Sequence, residues 1–194
     1  MTNSKLKIAV LYGSYREKRY GIHVANFVVE QLKSVCNPVL ADAKAYDLPI
    51  LHKMYKEYKD EKPPKNLQEL HELFESADGY VLVTGEYNHG LPAGLKNMLD
   101  HFQQEFYFKP AGIVSYSVGG FGGVRASVHA RVVLGELGMV TPSAIVPVSN
   151  IRKTFDENGK WDDANLEKSF KKLSDELIWY ATALKTARAE GKPY

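Results

Sequence analysis

The sequence predicts an α/β fold: one parallel sheet with helices on both of its faces. Three observations predict it. Short, wholly apolar runs of strand length alternate from end to end with stretches whose apolar residues recur every three or four positions. Runs that are apolar at every position, rather than at alternate ones, belong to strands buried on both faces, which is the condition of a parallel sheet. The longest polar and glycine-rich loops follow strands rather than helices, on the side where such sheets bind ligands.

The elements read in order as follows. Ile8-Ala9-Val10-Leu11 is the first strand and stops at Gly13. Ile22, Ala25, Val28 and Leu32 mark the first helix, and Pro38-Val39-Leu40-Ala41 a second, weaker strand. His52 to Lys65 is charged and contains Pro63-Pro64, so it reads as a long mobile loop before the helix of Leu67, Leu70, Phe74 and Ala77. Tyr80-Val81-Leu82-Val83-Thr84 is the central strand, followed by a helix carrying Leu95, Met98, Leu99 and Phe102. Gly112 to Tyr116 is the fourth strand, Val128, Val132 and Leu137 the apolar stripe of the next helix, and Ala144 to Val148 the fifth strand. Leu166, Phe170, Leu173, Leu177 and Leu184 stripe a long closing helix. Right-handed crossovers leave few topologies. Five strands fit the doubly wound order 2-1-3-4-5 of flavodoxin-like sheets better than a six-stranded Rossmann sheet. No internal repeat or second domain is evident, so residues 1–194 read as a single domain.

Composition narrows the function. The 25 basic and 23 acidic residues nearly cancel, giving a net charge of +2. No block of like charge forms a stripe for nucleic acid or a membrane surface. The lone Cys36 excludes an internal disulfide and a multi-cysteine metal site. Met1 to Lys7 is polar and basic, and the apolar run after it is too brief for a secretory signal. No stretch approaches the ~18 apolar residues of a membrane span. The expectation is a cytoplasmic protein with no metal, nucleic-acid or membrane partner.

Three loops carry the chemistry. Gly13-Ser14-Tyr15-Arg16-Glu17-Lys18-Arg19-Tyr20-Gly21 leaves the first strand for a helix N-terminus, where free N–H groups and the helix dipole favour an anion. Ser14, Arg16, Lys18 and Arg19 add donors, and arginine meets phosphate oxygens with paired, charge-assisted hydrogen bonds. The glycines are too far apart for a dinucleotide fingerprint, although Asp42 stands near the end of the second strand where a ribose-binding acid would lie; a Walker Lys-Ser/Thr pair is absent. After the central strand, Gly85-Glu86-Tyr87-Asn88-His89-Gly90 offers an aromatic surface at Tyr87 and an amide at Asn88, suited to the face and rim of a flat ring. After the fourth strand, Ser117-Val118-Gly119-Gly120-Phe121-Gly122-Gly123 removes side chains where backbone must pass close to something. Each loop is ambiguous alone; together they line one crevice.

In these pieces, GSYREKR, EYNHGLPAGLKNMLD and SYSVGGFGG followed by Val124-Arg125-Ala126, the sequence resembles the NADPH-dependent FMN reductase family, with its quinone, azo and chromate reductases. The resemblance runs in order through Glu136-Leu137-Gly138. It implies that Ser14, Arg16 and Arg19, with the backbone through Tyr20 and Gly21, hold the FMN phosphate. It places Glu86, Tyr87, Asn88 and His89 along the isoalloxazine, and Ser117, Gly119 and Gly120 on its far side. Two departures stand out. Gly85 replaces the family's usual proline, and Arg19-Tyr20 stands where some members have serine.

The resemblance further implies hydride transfer from NADPH or NADH to the flavin, then reduction of a quinone, azo compound, metal oxyanion or free flavin. No dedicated catalytic side chain is expected, because the cofactor carries the chemistry. A homodimer or homotetramer is implied, with Tyr107, Phe108 and the 52–65 loop near the neighbour's acceptor site. Two other classes share the cofactor. A flavodoxin-type electron carrier tends to be acidic, against a pI of 8.4 here. A flavin-bound redox sensor that gates a partner would differ in lacking turnover.

Overall fold

The computed structural model describes residues 5–59 and 61–194; most of the polar Met1–Lys7 segment lies outside them. Its order is β1 (Lys7–Tyr12), α1 (Ile22–Leu32), β2 (Asn37–Asp42), α2 (Ala43–Tyr46), α3 (Lys65–Ser76), β3 (Gly79–Gly85), α4 (Ala93–Asp100), β4 (Ala111–Tyr116), α5 (Val124–Glu136), β5 (Ile145–Val148), α6 (Ile151–Thr154) and α7 (Ala164–Glu190). The five strands are all parallel in the order β2-β1-β3-β4-β5, as the sequence predicts.

Alternation along the strands sorts the core into two layers. Ile8, Val10, Tyr12, Val81, Val83, Val114, Tyr116, Val146 and Val148 face α1 and α7. Ala9, Leu11, Tyr80, Leu82, Ala111 and Ile113 face the opposite layer, with buried residues of α3, α4 and α5. Both faces are covered, so the central strands β1, β3 and β4 are buried almost throughout. The capping chemistry is local. Asp163 accepts hydrogen bonds from Asn165 N and Leu166 N at the start of α7, satisfying two donors a helix end would leave open.

Two expectations need correction. The helix of Val128 and Val132 exists as α5, but that stripe faces outward, 66% and 69% exposed, while Ala126, Ser127, Ala130 and Leu134 are buried. Small residues let α5 approach β4 closely, and spacing alone reveals a stripe without revealing which side is covered. The 52–65 segment, read as a mobile loop, is anchored instead. Tyr55 stacks on His71 with ring centroids 3.8 Å apart, donates its hydroxyl to Gln68 at 2.9 Å, and hydrogen-bonds through its backbone N–H to His101 O. One aromatic anchor outweighs the polar composition around it.

Candidate functional site

The carboxyl ends of β1, β3 and β4 bring the three loops to one side of the sheet, in register: Tyr12 lies beside Val83, and Gly85 beside Tyr116. The first loop is seated on α4. A Cβ on Gly13 would lie 2.2 Å from Leu95 Cβ, so only glycine lets the chain pass there. Ser14 is buried, with its Oγ 2.8 Å from the Tyr87 hydroxyl, and the Tyr15 hydroxyl donates to Ala43 O at 2.7 Å. These contacts hold the loop while leaving its backbone donors free. Among the described residues, no backbone N–H from Ser14 to Arg19 reaches an acceptor within the chain. Gly21 caps α1 without any side-chain hydrogen bond to the helix. Free N–H groups leading into a helix N-terminus are suited to an anion, and we call this loop the cradle.

The cations around it divide in two. Arg19 is paired with Asp42 at 2.5 Å, both side chains being mostly buried, and its guanidinium lies 5.7 Å from the centre of the Tyr12 ring. The hydrogen bond to Asp42 holds the Arg19 guanidinium above its ordinary pKa. Asp42, considered above as a ribose acid, is thus engaged by Arg19 and by Lys44 N. Arg16 and Lys18 are exposed and make no ion pair among the described residues. The Tyr20 side chain turns away to donate to Phe155 O at 2.7 Å, and its backbone N–H donates to Lys18 O at 3.1 Å.

The second loop is a tight hairpin. Tyr87 and Gly90 exchange two backbone hydrogen bonds of 3.0 Å, and Asn88 and His89 between them have φ of 49° and 68°. Positive φ at both central residues is the signature of a type I′ turn, which displays both side chains on its tip. Glu86 points elsewhere than expected. Its carboxylate accepts from Arg125 N at 3.1 Å and Arg125 Nη1 at 2.9 Å, capping α5 and tying the second loop to the third. Burial works against its charge, but the Arg125 hydrogen bonds outweigh it and hold the carboxyl below its usual pKa.

The third loop uses its glycines in two ways. Gly122 and Gly123 have φ of 61° and 77° and are crowded by Pro147 and the Tyr116 backbone, so the fold itself demands them. Nothing lies within 4 Å of a Cβ placed on Gly119 or Gly120. Their carbonyls are held by Asn150 N and Ser149 Oγ, and the Ser117 hydroxyl donates to Gly119 O. This strip of backbone is fixed in place and open above, as the rim of a flat ligand would require.

Sequence reasoning missed Arg125 as the bridge between loops and the phenols beneath the cradle. Tyr12 and Tyr116 both sit on the α1 side of the sheet at its carboxyl end. The two glycines at positions 21 and 85 were the available signal for the second of them.

A doubly wound 2-1-3-4-5 sheet with an anion cradle after β1 and open rims after β3 and β4 defines a flavodoxin-like mononucleotide-binding protein. The model of the NADPH-dependent FMN reductase family matches residues 6–153. An NAD(P)H-dependent FMN reductase of Schizosaccharomyces pombe is 36% identical over 137 residues, covering 69% of this chain and 68% of that protein. A quinone reductase of Escherichia coli K12 is 31% identical over 140 residues, covering 68% and 71% respectively. In fold, the chain is similar to the flavoenzyme FerB, an NAD(P)H:(acceptor) oxidoreductase of Paracoccus denitrificans, with a TM-score of 0.74 at 21% identity, covering 92% of this chain and 98% of that one. The chain belongs to the NADPH-dependent FMN reductase family and is an oxidoreductase of FMN and NAD(P)H.

Proposed function

We propose that the loop from Ser14 to Gly21 holds the FMN phosphate, with the ring along Tyr87, Asn88 and His89 on one side and Ser117, Gly119 and Gly120 on the other. The observation that carries this reading is the run of N–H groups from Ser14 to Arg19 without an acceptor in the chain, just before α1, whose N-cap Gly21 brings no side chain. A phosphate monoester carries up to two negative charges and needs donors from several directions. The cradle supplies backbone donors, and Arg16 and Lys18 supply charge. Arg19 contributes through its backbone and by holding the loop against Asp42. Glu86 acts indirectly: it keeps the second and third loops at a fixed separation through Arg125.

When bound, FMN supplies a two-electron relay from NAD(P)H to an acceptor such as a quinone, azo compound, metal oxyanion or free flavin. The chain's own part is to bind, orient and screen. The hairpin of Tyr87 and Gly90 and the pinned carbonyls of Gly119 and Gly120 give rigid walls, and rigid placement of two reactants is itself a large share of catalysis. No side chain is assigned a proton-transfer role.

The outward stripe of Val128 and Val132 on α5 supports assembly with a second copy, as a homodimer or a pair of dimers. Sedimentation would check this, and a monomer at micromolar concentration would refute it. Among the described residues no helix is long and apolar enough to cross a membrane, which is compatible with a cytoplasmic enzyme of one domain. The function is tested by mixing the flavin-loaded protein anaerobically with NADPH or NADH. Flavin absorbance should bleach and return on adding a quinone; a spectrum unmoved by either coenzyme would refute the reductase reading and favour a carrier or sensor.

A further inference from the structure

Tyr116 ends β4 with its ring on the α1 side of the sheet. The ring reaches beneath two loops at once. A Cβ on Gly21 would lie 2.1 Å from its Cζ and 2.2 Å from its hydroxyl oxygen, and one on Gly85 would lie 3.0 Å from the same ring. The hydroxyl therefore stands directly at the N-cap of α1, where the cradle closes. The two glycines are the imprint of the phenol. This also explains Gly85 in place of the family's usual proline: a ring on that residue would meet the ring of Tyr116.

The surroundings show what the hydroxyl can do. Tyr116 is 8% exposed, and its phenol neighbours that of Tyr12, whose own proton is directed to Arg19 O at 3.4 Å; the ring centroids are 6.5 Å apart. The charged groups that bear on it are Arg16 and Arg19, both cations of the first loop. Burial, foremost, drives its pKa far above that of a free phenol, so it stays protonated at any physiological pH. A neutral phenol at a helix N-terminus, facing cationic rather than anionic groups, is a donor suited to an anionic oxygen.

Resting on the cofactor reading above, we propose that Tyr116 is a further binding residue for the phosphate end of FMN, its hydroxyl donating a hydrogen bond to a phosphate oxygen from below the cradle. It selects the phosphorylated flavin over its unphosphorylated counterpart and closes the side that the backbone N–H groups leave open. Gly21 and Gly85 are then required as much by this side chain as by the turns they occupy.

Tyr116→Phe keeps the ring and removes only the donor, so packing on Gly21 and Gly85 survives. The experiment titrates apoprotein of the parent and of Y116F with FMN and with riboflavin, following quenching of flavin fluorescence, after confirming equal melting temperatures. The expected result is FMN affinity about tenfold weaker in Y116F, the size of one hydrogen bond to a charged group, with riboflavin affinity unchanged. Equal FMN affinity in the two proteins would overturn the proposal, as would a parallel loss for both ligands. A parent that discriminates FMN from riboflavin while Y116F is unchanged would leave the cradle standing and remove Tyr116 alone. A parent that binds no FMN would overturn both.

Discussion

The two ends of the sheet are built from the same kinds of group and treat them oppositely. At the amino end, polar groups are matched. Asp78 accepts from Lys7 N at 3.0 Å and Lys185 Nζ at 2.9 Å, with Arg188 at 3.8 Å. Buried Lys109 donates to Phe74 O and Glu75 O, closing the carboxyl end of α3, and Arg188 donates to Phe108 O. At the carboxyl end, N–H groups from Ser14 to Arg19 are left without partners among the described residues, α1 starts without a side-chain cap, and Gly119 and Gly120 face open space. Matched donors close a fold, whereas unmatched ones are a cost unless a ligand or water completes them. The difference supports the proposed placement of the cofactor at the carboxyl end.

Substitutions at the two ends should therefore separate stability from affinity. The largest effect expected is at Lys109. Lys109→Met removes two charge-assisted hydrogen bonds and leaves Glu75 O unsatisfied, while Phe74 O keeps the Tyr80 hydroxyl, at about 3 kcal/mol, lowering the melting temperature by roughly 10 °C with FMN affinity intact. Calorimetry and flavin titration on the same sample check both halves. Next comes the converse. Arg16→Ala with Lys18→Ala should weaken FMN about a hundredfold, roughly 2.7 kcal/mol, while the melting temperature stays within about 2 °C, since both side chains are exposed.

A pH series sharpens the amino-end half. Burial pushes the Lys109 ammonium down to about 8 from 10.5, so the unfolded chain binds more protons between those values and this residue's contribution to stability rises with pH there. Cys36, raised by burial from 9.0 to about 11, works in the opposite direction above pH 9. Comparing the parent with K109M cancels that shared term. The gap between them should widen from pH 8 to 10, by on the order of 2 kcal/mol; a constant gap would contradict the assignment. The smallest effect is at the bridge. Glu86→Gln keeps the shape and removes the negative charge paired with Arg125, for about 1 kcal/mol, seen as a few-fold faster release of FMN in stopped flow.

The sheet was legible because buried parallel strands leave unbroken apolar runs, and Val81 to Val83 or Ile113 to Val114 can be little else. The loops were legible as a set because topology places the ends of β1, β3 and β4 together. What the sequence concealed was direction. Val128 and Val132 share a face of α5, but nothing in their spacing says it is the outer one. Arg19, Tyr20 and Glu86 stand in loops at the carboxyl end of the sheet, yet their side chains engage Asp42, Phe155 and Arg125, partners 23, 135 and 39 residues away. Such pairings exist only once the chain has folded. Tyr116 was hidden for the same reason: as one apolar residue of a buried strand it carried no sign of where its hydroxyl would emerge.

The most direct measurement compares the parent's affinity for FMN and riboflavin at fixed ionic strength. A cradle of backbone donors for a dianion requires FMN to bind at least about a hundredfold more tightly, with the advantage shrinking as salt is added. Equal affinity for the two flavins, unmoved by salt, would mean that the loop after β1 holds no phosphate.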